Sequence, residues 1–380
     1  MLVPQLVEKT ISNRKLKGKF LMNKLILNQP EQLSFGCEVG FELAAPDYKP
    51  SINLLPLSDY DHIIISESGG KDSMACLFYL LNLGVPSEKI ELWHQCVDGR
   101  GADHVDLMDW PVTESYIEAV GQHFGIQTVY QWRQGGIYNE LMRKDSLTGD
   151  VYYTTEQGEI IHLPTKNGKQ STRLKWPAMS ADLRVRWCSP YVKIDVFRRV
   201  LNNHLKYKDK KVLVVTGERR EESPNRAKYA EAEIHPCNSK SRLVHAWRPV
   251  IDWSEQQIWD EYETRKFLPH PAYILGWNRT SCFGCIFSTA DLWAMMREIA
   301  PERFNQLVEL ERELNHTIDT NRVSLVEKAN LGTLERLPKD ARLSQWVELA
   351  LNRNFEASDL IMGKWELPAG ALRGSAGGPL

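Results

Sequence analysis

The sequence predicts an α/β fold, a parallel sheet with helices on both faces, and three observations carry that expectation. Apolar β-branched runs alternate with helix-period stretches between residues 57 and 135, which is the pattern of successive βα units. A glycine turn joins the first strand to the first helix, at Ser68-Gly69-Gly70-Lys71-Asp72-Ser73. A second apolar strand, Val212–Thr216, also ends on a glycine, Gly217. With 380 residues, the chain is long enough for such a domain with additions at its ends.

The elements follow in order. Residues 1–56 read as an N-terminal extension. A domain is expected over 57–300, opening with a strand at 62–66 (HIIIS) and a helix at 73–83. Strand 90–94 (IELWH), helix 113–124 and strand 127–131 complete the alternation. Residues 144–172 are polar and glycine-rich and predict a hairpin-like insertion or a mobile lid. A helix over 190–205 leads to strand 212–216, and helical periodicity returns at 254–266, 290–299 and 301–316. Residues 301–380 are expected to form a helical C-terminal region. Its Gly- and Pro-rich tail, LPAGALRGSAGGPL, predicts either disorder or an extended strap over a neighbour.

Composition narrows the classes. Hydrophobic content of 42% and charged content of 25%, with a mean hydropathy of −0.40, fit a soluble globular protein. No apolar run approaches membrane-spanning length, and residues 1–20 lack the apolar core of a signal peptide, so no membrane partner and a cytoplasmic location are expected. Seven cysteines in such a chain are too few for a disulfide framework, and clustered ones become candidates for metal or redox work. A net charge of −2 gives no long-range steering toward nucleic acid, which partner proteins would then supply. Local basic runs occur at Arg14–Lys19 and Lys206–Lys211, each read first as a solvated face.

The chemistry concentrates after the first strand. Backbone N–H groups at a helix start, with glycine permitting close approach, bind phosphate. Ser66, Ser68 and Ser73 add hydroxyls and Lys71 adds a cation, while Asp72 can cap the helix or help hold magnesium. Asp98 follows the second strand, at the sheet edge where nucleotides sit. The second strand-end loop, Gly217-Glu218-Arg219-Arg220-Glu221-Glu222-Ser223-Pro224-Asn225-Arg226, offers arginine forks for phosphate or sulfate. Cys282 and Cys285 form a CxxC suited to thiolate ligation of iron or zinc.

The glycine turn is not a Walker loop, which needs four residues between its glycines. It resembles the PP-loop, SGGxDS, of the N-type ATP pyrophosphatases. The second loop is similar to the GxRxxxSPxR motif of the PAPS reductase (phosphoadenosine phosphosulfate reductase) branch of that superfamily. Arg186-Trp187-Cys188 with Lys193, then Arg248–Ser254 with Trp259, then His270-Pro271-Ala272-Tyr273 and Cys282-Phe283-Gly284-Cys285 resemble the family's later motifs in their order. The resemblance spans about residues 60–300 and implies the adenine nucleotide α-hydrolase-like (HUP) fold.

It also implies roles. Ser66, Ser68, Gly69, Gly70, Lys71, Asp72, Ser73, Asp98, Gly217, Glu218 and Ser223 would bind ATP and Mg²⁺, with Lys71, Asp72, Arg219 and Arg226 serving the chemistry. Cys188 would join Cys282 and Cys285, with Cys237 as a candidate fourth ligand, around an iron–sulfur cluster or, alternatively, Zn²⁺. PAPS reductases act through a cysteine near the C-terminus and carry a degraded loop, whereas here no cysteine follows Cys285 and the loop is intact. Both departures resemble the ATP pyrophosphatase subunit of bacterial DNA phosphorothioation (Dnd and Ssp) systems. That resemblance implies adenylylation of a DNA phosphate for sulfur insertion in a restriction-modification setting, with a cysteine desulfurase and other modification subunits as partners. A PAPS or APS reductase, a tRNA-thiolating enzyme and a non-catalytic nucleotide-sensing subunit are the alternatives.

Overall fold

A computed structural model gives the structure of the protein; it describes residues 51–280 and 282–374. Most of the expected N-terminal extension, the Arg14–Lys19 run and Cys37 lie outside the described residues. The strands are β1 (His62–Ser66), β2 (Ile90–Cys96), β3 (Gln127–Arg133), β4 (Val151–Thr154), β5 (Ile160–Leu163), β6 (Lys211–Val215), β7 (Ala232–Ile234) and β8 (Leu243–Trp247). They form one sheet in the order β5-β4-β3-β2-β1-β6-β8-β7. The central strands β3, β2, β1, β6 and β8 are parallel, and β4, β5 and β7 add antiparallel edges. The α/β architecture is therefore the one the alternation implies.

Helices α1 (Lys71–Asn82), α2 (Thr113–Phe124) and α3 (Gly136–Leu141) follow the first three parallel strands. A π-helical turn, Pro190–Ile194, runs into α4 (Asp195–Asn203), which leads back to β6. The β-branched run Ile63-Ile64-Ile65 is wholly buried because it lies mid-sheet with both faces covered: Ile63 and Ile65 face one core and Ile64 the other. Chain order runs outward from β1 through β2 to β3, then returns to β6 on the other side of β1. The strand order thus reverses between β1 and β6, and ligands of open α/β sheets bind outside the carboxyl ends of strands at such a reversal.

The polar insertion is not a detached lid. Its hairpin, β4 and β5, pairs antiparallel with β3 and widens the sheet. Buried Arg133 fixes this edge, donating to the Gly149 carbonyl (2.5 Å), the Tyr191 carbonyl (2.8 Å) and Asp195 (2.5 Å). Polar residues there are satisfying an edge strand and its turn, so composition alone could not separate lid from sheet. The Lys206–Lys211 run is largely engaged: Lys206 pairs with buried Glu91 (2.8 Å) and with Glu156, and Lys210 with Asp61 (3.6 Å).

Beyond the sheet lie α5 (Glu255–Arg265), α6 (Pro271–Ile274), α7 (Ala290–Ile299), α8 (Pro301–Leu314), α9 (Leu325–Asn330) and α10 (Leu343–Leu351). Phe304, Leu307, Leu325, Ala329 and Leu360 pack into the same core as α1 and α2. Ser254 and Ser324 cap α5 and α9 with reciprocal capping boxes. No helix among the described residues is long and apolar enough to cross a membrane. The tail is an ordered strap as far as Gly374: Gly370 N–H donates to the Tyr273 carbonyl (2.8 Å), Leu372 N–H to Glu255 (3.1 Å), and Asn278 Nδ2 to the Gly374 carbonyl (2.7 Å).

The two strand-end loops meet at Gly217. A Cβ there would lie 2.4 Å from the Asp72 carbonyl carbon and 2.5 Å from Ser73 N. We expect Gly217→Ala to cost about 1–3 kcal/mol through backbone displacement, whereas Gly363→Ala, which meets nothing within 4 Å, leaves stability nearly unchanged. Urea unfolding of the two variants checks this, and equal midpoints would show that the loops do not depend on the contact.

Candidate functional site

A cavity of about 810 Å³ opens at the β1/β6 reversal. Ser66, Ser68, Gly70, Lys71, Asp72 and Ser73 line one wall, and Thr216, Gly217, Glu218, Arg219, Glu222 and Arg226 line the facing one. Gly69 takes a left-handed φ of +72°, which lets the chain reverse from strand into helix. Not every loop N–H is available to a phosphate. Gly69 N–H donates to Glu67 Oε1 (2.8 Å) and Lys71 N–H to the Tyr273 hydroxyl (2.9 Å). The N–H groups of Gly70, Asp72 and Ser73 are the ones left to a ligand.

An ion-pair network joins the walls. Arg219 Nε is 2.6 Å from Asp72 Oδ1, Lys71 Nζ is 3.2 Å from Asp72 Oδ2, and Arg219 also pairs with Glu221. Lys71 lies 3.9 Å from Glu255 as well. Burial pushes the Asp72 carboxyl up, but the Lys71 and Arg219 charges outweigh it and hold the group below the usual carboxylate range. Arg226 pairs with Glu222, and Glu218 with Arg248 (2.5 Å). In this arrangement the cations are held by carboxylates that an incoming polyphosphate can replace.

That exchange also bears on magnesium. Among the described residues, no three His, Cys, Asp or Glu side chains are grouped to hold a metal ion. Magnesium commonly needs only one or two protein carboxylates plus substrate phosphates. Asp72 fits that role once phosphate has drawn Lys71 and Arg219 away from it.

Three expected ligands do not line the cleft: Gly69, which packs against His270 and Tyr116, Asp98 and Ser223. Asp98 does not line the cavity; its carboxylate accepts the backbone N–H groups of Leu107 (3.0 Å), Met108 (2.9 Å) and Asp109 (2.8 Å). It staples the loop after β2, a role that a strand-end position alone does not distinguish from nucleotide contact. Ser223 lines a neighbouring cavity, where its hydroxyl accepts the Arg226 N–H (3.3 Å).

That second cavity, about 700 Å³, holds Cys188, Cys282 and Cys285. It shares Lys193, Glu218, Arg226 and Arg279 with the first. Burial raises the Cys188 thiol, and Cys285 raises it further; Cys282 is raised by burial despite the nearby Lys193 charge. Cys237 is not with them. It is buried with Phe197, Val200 and Val244 in the other core cluster, and the charges it feels are Arg198 and Arg242. A closed four-cysteine centre therefore does not fit. The three remaining thiols share one cavity, but they are not grouped in a metal-holding arrangement.

The sequence reading missed three side chains of the cleft. Glu67 is buried, Ser73 Oγ donates to its Oε1 (2.6 Å), and its Oε2 has no partner. Burial pushes its carboxyl up to about 7. His94 Nδ1 is 3.0 Å from the Glu67 carbonyl. A carbonyl only accepts, so the proton is on Nδ1, leaving partnerless Nε2 as an acceptor; burial lowers the ring's pKa and keeps it neutral. Asp109, also lining the cleft, is pushed up to about 7 by burial and by Asp98. An acid immediately before SGG and a histidine late in β2 were the available signals.

Residues 152–290 match the family model of the phosphoadenosine phosphosulfate reductase domain. The matched span contains the second strand-end loop and the three cavity cysteines, while the glycine turn after β1 precedes it. The chain is 25% identical over 260 residues to an uncharacterized 37.8 kDa protein of Escherichia phage 186, covering 66% of this chain and 74% of that one. Two uncharacterized proteins of Methanocaldococcus jannaschii are each 23% identical. One match covers 35% of this chain and 31% of the relative, the other 59% and 36%, so the chain spans about a third of each archaeal relative. The family-model match supports a PAPS reductase-like domain in this chain.

The carboxyl at Glu67 makes a testable contribution to stability. Raised from 4.5 to about 7, it binds its proton more tightly folded than unfolded. Its stabilising contribution is therefore full below about pH 4.5 and is lost as pH rises through 7. Asp109 acts in the same sense. We expect Glu67→Gln to flatten the decline in unfolding free energy between about pH 5 and 8 by on the order of 1–3 kcal/mol, measured by urea titrations across pH. An unchanged slope would place the Glu67 proton elsewhere.

Proposed function

We propose that the protein is an ATP pyrophosphatase that activates a substrate phosphate, on the backbone of DNA, by adenylylation for sulfur insertion. The observation that carries this reading is the intact SGGKDS turn facing a cavity that continues, past Lys193, Arg226 and Arg279, into the cavity of three thiols. Nucleotide activation and sulfur chemistry would then occupy adjoining compartments.

ATP would place its phosphates against the free loop N–H groups, drawing Lys71 and Arg219 from Asp72 onto the polyphosphate. Magnesium, bound with the nucleotide, supplies further neutralisation of the leaving pyrophosphate. A non-bridging oxygen of the acceptor phosphate attacks the α-phosphorus; the α–β bond breaks and pyrophosphate leaves. The acceptor is then joined to AMP as a mixed anhydride. Lys71 and Arg219 act by stabilising charge that grows in this transition state. A sulfur nucleophile, delivered as a persulfide by a cysteine desulfurase partner, attacks the activated phosphorus and expels AMP. A second thiol, from the Cys188, Cys282 and Cys285 set, then attacks the sulfur bound to the partner; the phosphorothioate leaves and a mixed disulfide remains.

One observation favours a second reading, reduction of a sulfonucleotide: the family model matched over residues 152–290 is that of a sulfonucleotide reductase. Product analysis separates the two. Incubated with Mg²⁺, ATP, duplex DNA and a persulfide donor, the anaerobically prepared protein should yield AMP and pyrophosphate. We expect Lys71→Ala to lower this rate by about 10²–10³-fold with the native fold retained by far-UV circular dichroism. Thiol-dependent release of sulfite from PAPS, without ATP cleavage, would overturn the ATP reading. Cleavage undiminished in Lys71→Ala would remove the loop from the chemistry.

A further inference from the structure

A third cavity, about 990 Å³, lies apart from the nucleotide cleft. It lies between the segment that precedes the π-helical turn and the C-terminal end of α8 with the loop that follows it. Lys175, Arg184, Arg312, His316 and Arg322 are exposed around it. Pro177 lines both this groove and the thiol cavity, and the thiol cavity shares Lys193, Arg226 and Arg279 with the nucleotide cleft. The groove thus lies beside the thiol cavity across Pro177, and the thiol cavity adjoins the nucleotide cleft.

The charge of the groove is one-sided. Its lining includes Arg173, Lys175, Arg184, Arg312 and Arg322 against only Glu311 and Asp319. Both carboxylates are committed inward. Glu311 accepts the backbone N–H groups of Ile318 (2.7 Å) and Leu325 (2.8 Å), and Asp319 pairs with Lys328 (2.6 Å). Arg173 pairs with Glu140 (3.5 Å) and stacks on Trp187, Arg184 grips Asp182 through Nε (3.0 Å) and Nη2 (2.7 Å), and Arg312 pairs with Glu309 (2.5 Å). Lys175 and Arg322 form no ion pair among the described residues. The exposed Arg312–Glu309 pair is worth little, so Arg312 can turn to another anion. In a chain of net charge −2, a concentrated cationic groove is a local feature, and locally placed Lys and Arg are what a nucleic-acid backbone recognises.

We infer that this groove docks the acceptor: a DNA strand held by its phosphates, without base readout, and led past the thiols toward the nucleotide cleft. The inference rests on the DNA-activating reading above and adds to it the surface that brings DNA in. Phosphate contacts of this kind position a strand and carry no sequence information. They also make binding depend steeply on salt.

The test is fluorescence anisotropy of the full chain with a labelled DNA duplex over a salt series. Wild-type protein should bind, with log K falling linearly in log salt. Lys175→Glu/Arg322→Glu should weaken binding at least about tenfold and reduce the slope by about 2, one for each lost phosphate contact. Lys208→Glu/Lys240→Glu changes the net charge equally on exposed sites outside the groove, and should bind as wild type does. Where the double reversal unfolds early, Lys175→Gln/Arg322→Gln should give the same reduction in slope. No DNA binding by the wild type, equal losses in groove and control variants, or binding of RNA in place of DNA would each overturn the inference. Absence of AMP formation with DNA binding and its groove dependence intact would instead sink the ATP reading and leave the docking surface standing.

Discussion

The contact between the two strand-end loops is the constraint on which the rest of the site depends. Gly217 lies against the backbone of Asp72 and Ser73, and only a residue without a Cβ permits that approach. Because the loops touch there, Arg219 reaches Asp72 at 2.6 Å and one carboxylate is shared by cations from two strands. A buried pair of this kind contributes little net stability, since desolvation offsets the attraction, but removing one partner leaves a costly lone charge. The network therefore ties the two loops together. On the proposed reading it would be displaceable, since a polyphosphate would offer the same cations a stronger anion.

The surroundings of the loop show how the rest of the chain supports that junction. Tyr273, at the start of α6, takes the Lys71 N–H, and the C-terminal strap returns to Tyr273 and Glu255. The helical C-terminal region thus shares a core with α1 and α2 and also closes over the cleft. Burial raises the Glu67 carboxyl to about 7, so that it is part-protonated near neutral pH where a free carboxyl is ionised, and it keeps the His94 ring neutral. A part-protonated carboxyl and a neutral imidazole acceptor add little charge beside the glycine turn and offer hydrogen bonds instead.

The parallel core was legible in the sequence wherever local pattern and tertiary role coincide. Ile63-Ile64-Ile65 marks a strand covered on both faces, and helix α2 occupies the residues its period implies, ending at Gly125 in a left-handed conformation. The glycine turn and Gly217 were legible for the same reason: each is demanded by backbone geometry, which short sequence windows encode. The edges were harder to read. In β4 and β5, polar residues serve an exposed edge strand, and the same residues would serve a lid.

Sequence by itself determined the strand–turn–helix at the phosphate loop and the second loop after β6, because spacing and residue type suffice for those; the closeness of Cys188 to the CxxC came only from the family resemblance. Only the tertiary structure decided which side chains share a space. It sends Asp98 to the backbone N–H groups of residues 107–109 and Cys237 to the opposite core, and it brings Glu67, His94 and Asp109 to the cleft. It also joins residues 173–187 to residues 308–326 as one basic groove. The physical reason is that hydrogen-bond partners, burial and the sign of a local field depend on segments far apart in the chain, and no local pattern records which segments will meet.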